Sequence, residues 1–529
     1  MKIYQIIVTE AREYGISRNH PLNAPGAPFV CGLVLVATGK RTSYNVQHRP
    51  GKKLGSCTLH GQKHELGFAH IMNRRDFLWA LEMGPAVVPP LAWRTLAAAL
   101  AGDLRERPNI LWIMAEDIST ELSCYGHPAV QTPHLDKLAQ DSIRYTNAFT
   151  TAPSCAPSRS AMITGVYQTR IGAHDQRMRD KWSENKNRIL PKPYRPITEY
   201  LRRAGYFTAL GCGYSRKTDF NFNTQNELFE GKDWAQRIPG QPFFAQVTLP
   251  VTHRGGHWRQ IGKKVKNPID PATVELPPYY PDHPICRQDW ATYLNTIQMM
   301  DSQVGDILKR LEDERLADNT VVIFIGDNGR CHVRGKCWLY DPGIRVPMMI
   351  RWPGRLKPGT VRDELISAID ISSTVLKIAG IEPPKYVDGR VFLGRDAKKR
   401  QYIFAARDRI DEAVDCIRCV RSKRYKYIRN YMPEKPRTQK FAYIEAHRPM
   451  LAVMKDLYAK GQLTPEQALF MEPRKPEEEL FNLQSDPHEL HNLADSPDHQ
   501  DILNEMRAAL EQWIKETSDT GIPAARADS

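Results

Sequence analysis

From Pro108 onward, short apolar runs alternate with segments whose apolar residues recur every three to four positions, the rhythm of a sheet covered by helices on both faces. Residues 109–115 form an unbroken apolar run of buried-strand character, and Thr132-Pro133 opens a helix over 134–141. Strands follow at 143–149, 206–210 and 243–249, with a helix at 196–203 feeding the second of them. A helix over 289–314 repeats Tyr293, Ile297, Met300, Val304, Ile307 and Leu311 on one face. The apolar run 321–325 ends in Gly326-Asp327-Asn328-Gly329, which puts a carboxylate and an amide at the carboxyl end of a parallel strand, where α/β sheets hold ligands. A strand at 346–350 and a helix at 369–379 complete the large domain. Beyond Arg400 the chain turns basic and aromatic, with strands at 419–421 and 425–429 and a last helix at 500–516. The predicted class is a doubly wound α/β sheet with a smaller C-terminal antiparallel sheet plus helix.

Composition narrows this little: 529 residues, 41% hydrophobic and 25% charged, describe an ordinary globular chain. The net charge of +14 is uneven, since residues 1–71 hold nine Lys and Arg against three Glu and leave +8 on the remainder. That balance favours an anionic partner. Nucleic acid is disfavoured, because no basic helix, zinc-finger spacing or aromatic RNP-like run appears. The ten cysteines fit no compact disulfide framework, and Cys416-Ile417-Arg418-Cys419 lacks the second pair of a zinc site.

Met72-Asn73-Arg74-Arg75-Asp76-Phe77-Leu78, the interrupted apolar stretch after it and Ala99-Leu100-Ala101 look like a twin-arginine export signal placed inside the chain. The expected organisation is a non-native extension over 1–71, a signal segment over 72–103, a catalytic domain over 104–400 and a C-terminal subdomain over 401–529. Translation would then start at Met72, and the mature protein would be periplasmic or extracellular. Glu82, three prolines and Arg94 break the candidate apolar segment, so no membrane span is expected.

The stretch Cys155-Ala156-Pro157-Ser158-Arg159, followed by Ser160-Ala161-Met162-Ile163-Thr164-Gly165, resembles the signature of type I sulfatases. The resemblance implies an alkaline-phosphatase-like fold and oxidation of Cys155 to formylglycine by a separate maturation system. In that family one hydroxyl of the aldehyde hydrate attacks sulfur and the other later expels sulfate. It also implies a divalent cation held by Glu116 and Asp117 after the first strand, Asp327 and Asn328 after a later one, and residue 155 itself. Calcium is the expected ion and magnesium the second, because a crowded all-oxygen site suits the larger, more flexible cation. The family usually carries Asp-Asp at the first pair, and Glu116 lengthens one arm by a methylene.

By the same resemblance Arg159 braces the hydrate, Lys336 grips the sulfate and His253 contacts the leaving-group oxygen, as a general acid near its ordinary pKa. Lys217 matches the lysine of a Gly-Lys-x-His pattern whose histidine position holds Asp219. Asp219 is the expected substitute base if burial raises its pKa, with His332 or His257 as alternatives.

Thr132-Pro133-His134-Leu135-Asp136, Asp327-Asn328-Gly329 with Leu339-Tyr340, and Ser485-Asp486-Pro487-His488-Glu489 with Trp513 are similar to the N-sulfoglucosamine sulfohydrolase, or heparan N-sulfatase, branch. The resemblance implies hydrolysis of a sulfate group from a sulfated saccharide, with residues 182–196 and 255–284 suited by their aromatic and basic content to reading an anionic glycan. A carbohydrate O-sulfatase or arylsulfatase, a phosphonate or phosphate monoester hydrolase on the same fold, and an inactive glycan-binding relative are the alternatives. Oligomeric state is not readable from the sequence.

Overall fold

The computed structural model describes residues 107–177 and 187–521, together with the backbone of a hairpin near the amino end. The chain divides into two units, Met1–Ala101 and Gly102–Ser529. Within the first, β1 (Cys31–Ala37) pairs antiparallel with β2 (Lys40–Val46). No sustained period marks this pair in the sequence, because β1 is a continuous apolar run rather than an alternating one. The signal-like segment over 72–103 lies outside the described residues, as does Trp182.

The second unit is built on an eight-stranded sheet. Its strands are β3 (Asn109–Ala115), β4 (Ile143–Phe149), β5 (Phe207–Leu210), β6 (Phe243–Leu249), β7 (Thr320–Gly326), β8 (Arg345–Arg351), β9 (Thr360–Arg362) and β10 (Ile366–Ser367). The order is β10-β4-β8-β7-β3-β6-β5, with β9 also paired to β4. The doubly wound sheet expected from the sequence is present with one refinement: β8 runs antiparallel to both β4 and β7, and the rest are parallel. The carboxyl ends of β4, β7, β3, β6 and β5 therefore share one edge.

Alternation along β3 explains why its whole length is apolar. Leu111, Ile113 and Ala115 pack into one core, and Ile110, Trp112 and Met114 into another on the opposite face. The helices covering these cores are α1 (Pro133–Gln140), α2 (Cys155–Thr164), α3 (Ile197–Arg203), α4 (Pro284–Asp313) and α5 (Asp370–Ile378). The apolar stripe of α4 lies on the first core, while Met162 and Ile163 of α2, Leu201 of α3 and Val375 of α5 lie on the second. Pro284 begins α4 five residues ahead of the expected start, since proline is well placed in a first turn. The 255–284 insert, expected as loop, contains 3-10 turns at Gly256–Lys263 and Pro271–Thr273.

A second, antiparallel sheet follows: β11 (Ile403–Arg407), β12 (Ile417–Arg421), β13 (Tyr425–Asn430) and β14 (Glu478–Asn482). Between β13 and β14 lie α6 (Ala442–His447) and α7 (Pro449–Ala459), which the sequence periodicity did not announce. The last helix, α8 (Gln500–Thr517), lays Leu503, Met506, Leu510 and Trp513 on this sheet, with the Trp513 ring stacked on Phe404 at 5.2 Å. Cys416 and Cys419 are free thiols and both buried, as their structural role predicts. Among the described residues no helix is long and apolar enough to cross a membrane.

Candidate active site

The shared sheet edge collects the expected metal-binding and catalytic residues. Glu116 and Asp117 follow β3, Asp327 and Asn328 follow β7, His253 follows β6, Lys217 and Asp219 follow β5, and the Cys155 helix follows β4. The motif forms the first turn of α2. Cys155 is its first residue and Pro157 its third, where a missing N–H costs nothing. The helix amino end thus points its partial positive charge at residue 155. Gly165, at φ 69°, closes α2 with a left-handed cap that donates to the Ala161 carbonyl at 2.8 Å.

Two backbone features tighten the edge. Asp117 sits at φ 51°, a left-handed conformation that Asp tolerates and that commonly accompanies functional positions. A Cβ on Gly329 would meet the Pro342 carbonyl oxygen at 2.0 Å, so only glycine lets the segment after Asn328 lie this close to the strand entry of β8.

Arg159 is wholly buried and organises the floor. Its Nε donates to Asp327 Oδ2 at 2.8 Å, its Nη1 donates to Thr248 Oγ1 at 3.0 Å, and Nη2 stands 3.5 Å from Glu116 Oε1. Lys336 Nζ bonds Asp117 Oδ1 at 2.7 Å, and Lys217 Nζ lies 2.7 Å from Glu116 Oε2 and 3.0 Å from Asp219 Oδ2. The Asp117 amide donates to Asp327 Oδ1 at 3.0 Å and the Asn328 amide donates to Asp117 Oδ1 at 3.1 Å. Four acids thus face three cations, with Lys217 and Asp219 at the partly exposed rim and the others buried.

The electrostatics follow from burial and from this balance. Burial raises the Glu116 carboxyl above its usual range, against the pull of Arg159 and Lys217. For Asp117 burial acts the same way, but Lys336, His253 and Lys217 outweigh it and hold the carboxyl well below the usual range. Burial also pushes the Cys155 thiol up, so the unmodified side chain is a neutral thiol at neutral pH.

Two expectations are corrected here. Burial does favour a neutral Asp219, yet Lys217 and Arg159 prevail and bring it down to about 2, so it is an ionised partner of Lys217 and a weak base. His253 does not keep its ordinary pKa: burial, with Lys336 next, lowers it to about 3, so it is neutral at pH 7. Of the alternative bases, His332 is buried among Trp290, Tyr293 and Tyr280, with Nε2 against Arg254 and Asp289. That is a structural place. His257 is exposed, with Nε2 against the Val251 carbonyl at 2.9 Å, and lines a cavity of about 380 Å³ with Glu116, Lys217 and His253.

Among the described residues no three His, Cys, Asp or Glu side chains stand together as a ready set of metal ligands. The donor chemistry nevertheless suits a hard cation. Glu116 Oε1, Asp117 Oδ2 and Asn328 Oδ1 are buried and accept no hydrogen bond, a costly state that an oxygen-seeking ion would relieve.

Two neighbours of the site carried no sequence signal. Gln176 donates from Nε2 to Cys155 Sγ at 3.3 Å and accepts from the Ala156 amide at 3.3 Å, which fixes the side chain over the thiol. Tyr443, on α6, places its ring 5.7 Å from Lys336 Nζ and 6.2 Å from the His253 ring. Both residues border a cavity of about 360 Å³ that also takes in Lys336 and Ser154. Neither belongs to a short motif or an apolar period.

Comparison with known proteins gives a consistent result. The sulfatase family model matches residues 108–381, and a model described as N-sulphoglucosamine sulphohydrolase, C-terminal, matches residues 329–462. An ulvan-active sulfatase of Formosa agariphila is 37% identical over 458 residues, spanning 79% of this chain and 76% of its own length. Human N-sulphoglucosamine sulphohydrolase is 28% identical over 477 residues, spanning 80% of this chain and 93% of its own. A solved structure in complex with its substrate D-glucosamine-2-N,6-O-disulfate shares the fold at a TM-score of 0.56 and 17% identity, over 78% of this chain and 98% of that one. The phosphonate monoester hydrolase of Agrobacterium radiobacter does so at 0.55 and 17%, over 79% and 97%.

Proposed function

The chain belongs to the sulfatase family of sulfuric ester hydrolases, and from that premise we propose that it removes a sulfate group from a sulfated saccharide at Cys155. The observation that carries this reading is that Lys217 and Lys336 each engage one oxygen, of Glu116 and Asp117 respectively, while Glu116 Oε1, Asp117 Oδ2 and Asn328 Oδ1 stay buried without hydrogen bonds at the sheet edge that also carries Cys155, Arg159 and His253. Cys155, after conversion to formylglycine by a separate maturation system, supplies the nucleophile. Glu116, Asp117, Asp327 and Asn328, with residue 155, would hold a divalent cation, calcium before magnesium, whose charge would stabilise the sulfuryl oxygens.

The chain's own groups do the rest. Lys336 and Lys217 supply the cations for the sulfate oxygens and Arg159 braces residue 155 and the acids behind them, so negative charge spreading over those oxygens in the transition state meets fixed donors. Gln176 orients residue 155. Asp219 keeps Lys217 extended into the site rather than acting as a base. His253 holds the departing oxygen through its neutral ring. An anionic substrate beside it counters the lysine charges and raises its proton affinity toward that of a useful acid.

Ulvan activity in the Formosa agariphila relative supports an O-sulfated polysaccharide as substrate, and the match of residues 329–462 to the sulphohydrolase model favours a second reading, cleavage of an N-sulfate. Side-by-side sulfate release from ulvan oligosaccharides and from N-sulfoglucosamine separates them. Mass spectrometry of the Cys155 peptide from the native host tests the shared premise: conversion gives a lighter peptide, and an unchanged thiol rejects it. Export by the twin-arginine route rests on Arg74-Arg75 and remains part of this proposal, as does the partition at residue 400.

A further inference from the structure

The catalytic cavity does not end at Lys217. A polar groove of about 520 Å³ continues from it along residues 216–228, and Arg177 borders both this groove and the cavity containing Lys336 and Tyr443. The two spaces therefore share a cation, and the second reaches Ser154 and Gln176, the neighbours of Cys155. On the groove's wall Phe220 stacks on Phe222, ring centroids 5.6 Å apart and planes 6° from parallel, with Phe222 buried and Phe220 half-buried. At its entrance Arg216 is exposed and makes no ion pair among the described residues.

This wall is not a loose loop. The Asn221 amide donates to Ser160 Oγ at 2.8 Å, and Thr248 Oγ1 donates to the Lys217 carbonyl at 3.1 Å. The Asn223 amide donates to the Arg188 carbonyl at 2.7 Å and the Leu190 amide donates back to Asn223 at 3.0 Å. Ser160 follows Arg159 on α2, so the groove is tied to the helix that presents Cys155. A ligand bound here keeps a fixed register with the reacting group.

We propose that this groove is a second saccharide subsite, in which Phe220 stacks against a sugar ring and Arg216 pairs with its anionic substituent while the neighbouring sulfated residue sits at Cys155. The inference rests on the sulfated-saccharide reading above and extends it: the preferred substrate is an oligosaccharide with a second anionic residue rather than a single sulfated sugar. An aromatic face beside a guanidinium suits a ring that is apolar on one side and bears a sulfate or carboxylate at its rim. Asp219 lies on the same segment but is held by Lys217, and with Arg177 and Arg216 set against Glu227 the remaining lining carries a net positive charge.

The test compares 4-nitrophenyl sulfate and sulfated monosaccharides with sulfated disaccharides cut from ulvan and from heparan sulfate. Wild-type enzyme is expected to favour disaccharide over monosaccharide by about tenfold in kcat/KM within the series it accepts. Arg216→Glu and Phe220→Ala are expected to lower the ratio of disaccharide to aryl sulfate turnover at least about fivefold, through KM, with Arg216→Lys recovering part of it. Carboxyl-reduced disaccharides assign the contact to a uronate if the preference vanishes and to a second sulfate if it survives. Aryl sulfate turnover without any chain-length preference, or variants that scale all substrates equally, overturns the subsite alone. No sulfate released from any probe overturns the sulfatase chemistry beneath it.

Discussion

The Asp341 cluster under the small sheet and the Asp117 cluster at the edge of the large one use the same residue types to opposite ends. Asp341 receives both arms of Arg421, at 3.1 and 3.0 Å, and Lys426 at 2.6 Å; Lys426 also lies 2.6 Å from Glu489, whose Oε2 accepts from the Asp341 amide. Burial pushes Asp341 toward neutrality, but Arg421 and Lys426 outweigh it and keep the carboxyl ionised. This cluster clamps the entry to β8 onto β12 and β13. Asp117 engages Lys336 and Asn328 through Oδ1 alone, and its Oδ2 faces no donor. In the first cluster every carboxylate oxygen has a cation or an amide within 3.1 Å, whereas in the second Asp117 Oδ2 is left open.

Three experiments probe that contrast. The largest effect is expected at the open cluster: Cys155→Ala should lose about 10⁵-fold or more in turnover while keeping its melting temperature, because the proposed nucleophile alone is removed. Activity retained in this variant contradicts the assignment of residue 155. The saturated cluster should answer in the other currency. Arg421→Met leaves Asp341 buried with half its partners and should cost about 3–5 kcal/mol in denaturant unfolding; a loss under about 1 kcal/mol would show that the clamp is dispensable.

The smallest effect concerns His332, a histidine that burial pushes down to about 4 despite the Asp289 bond. The unfolded chain takes up a proton near pH 6.5 and the folded one does not, so stability should fall as pH drops from about 6.5 to about 4, by up to about 3 kcal/mol. His332→Phe should flatten this part of the pH profile. An unchanged slope would place the titration elsewhere.

Periodicity located β3, β6, β7 and α4 within a few residues, because each has a buried face long enough to leave a repeating pattern. It missed α6 and α7, whose short amphipathic turns compete with a basic, polar context. It also missed Gln176 and Tyr443, since a residue that only touches the site leaves no repeat and no spacing. Residues 182–186 of the expected substrate loop lie outside the described residues.

The sequence by itself determined the chemistry that can occur: the Cys155 to Arg159 motif, the acid pairs after two apolar runs, and the alternation that makes those runs strands of one sheet. These depend on neighbours along the chain, which the sequence displays directly. Only the tertiary structure decided how the charges are used. Lys217 fixes Asp219 as an anion, burial with Lys336 keeps His253 neutral, and packing makes His332 a core residue, because proton affinity depends on distance and desolvation between segments far apart in the chain.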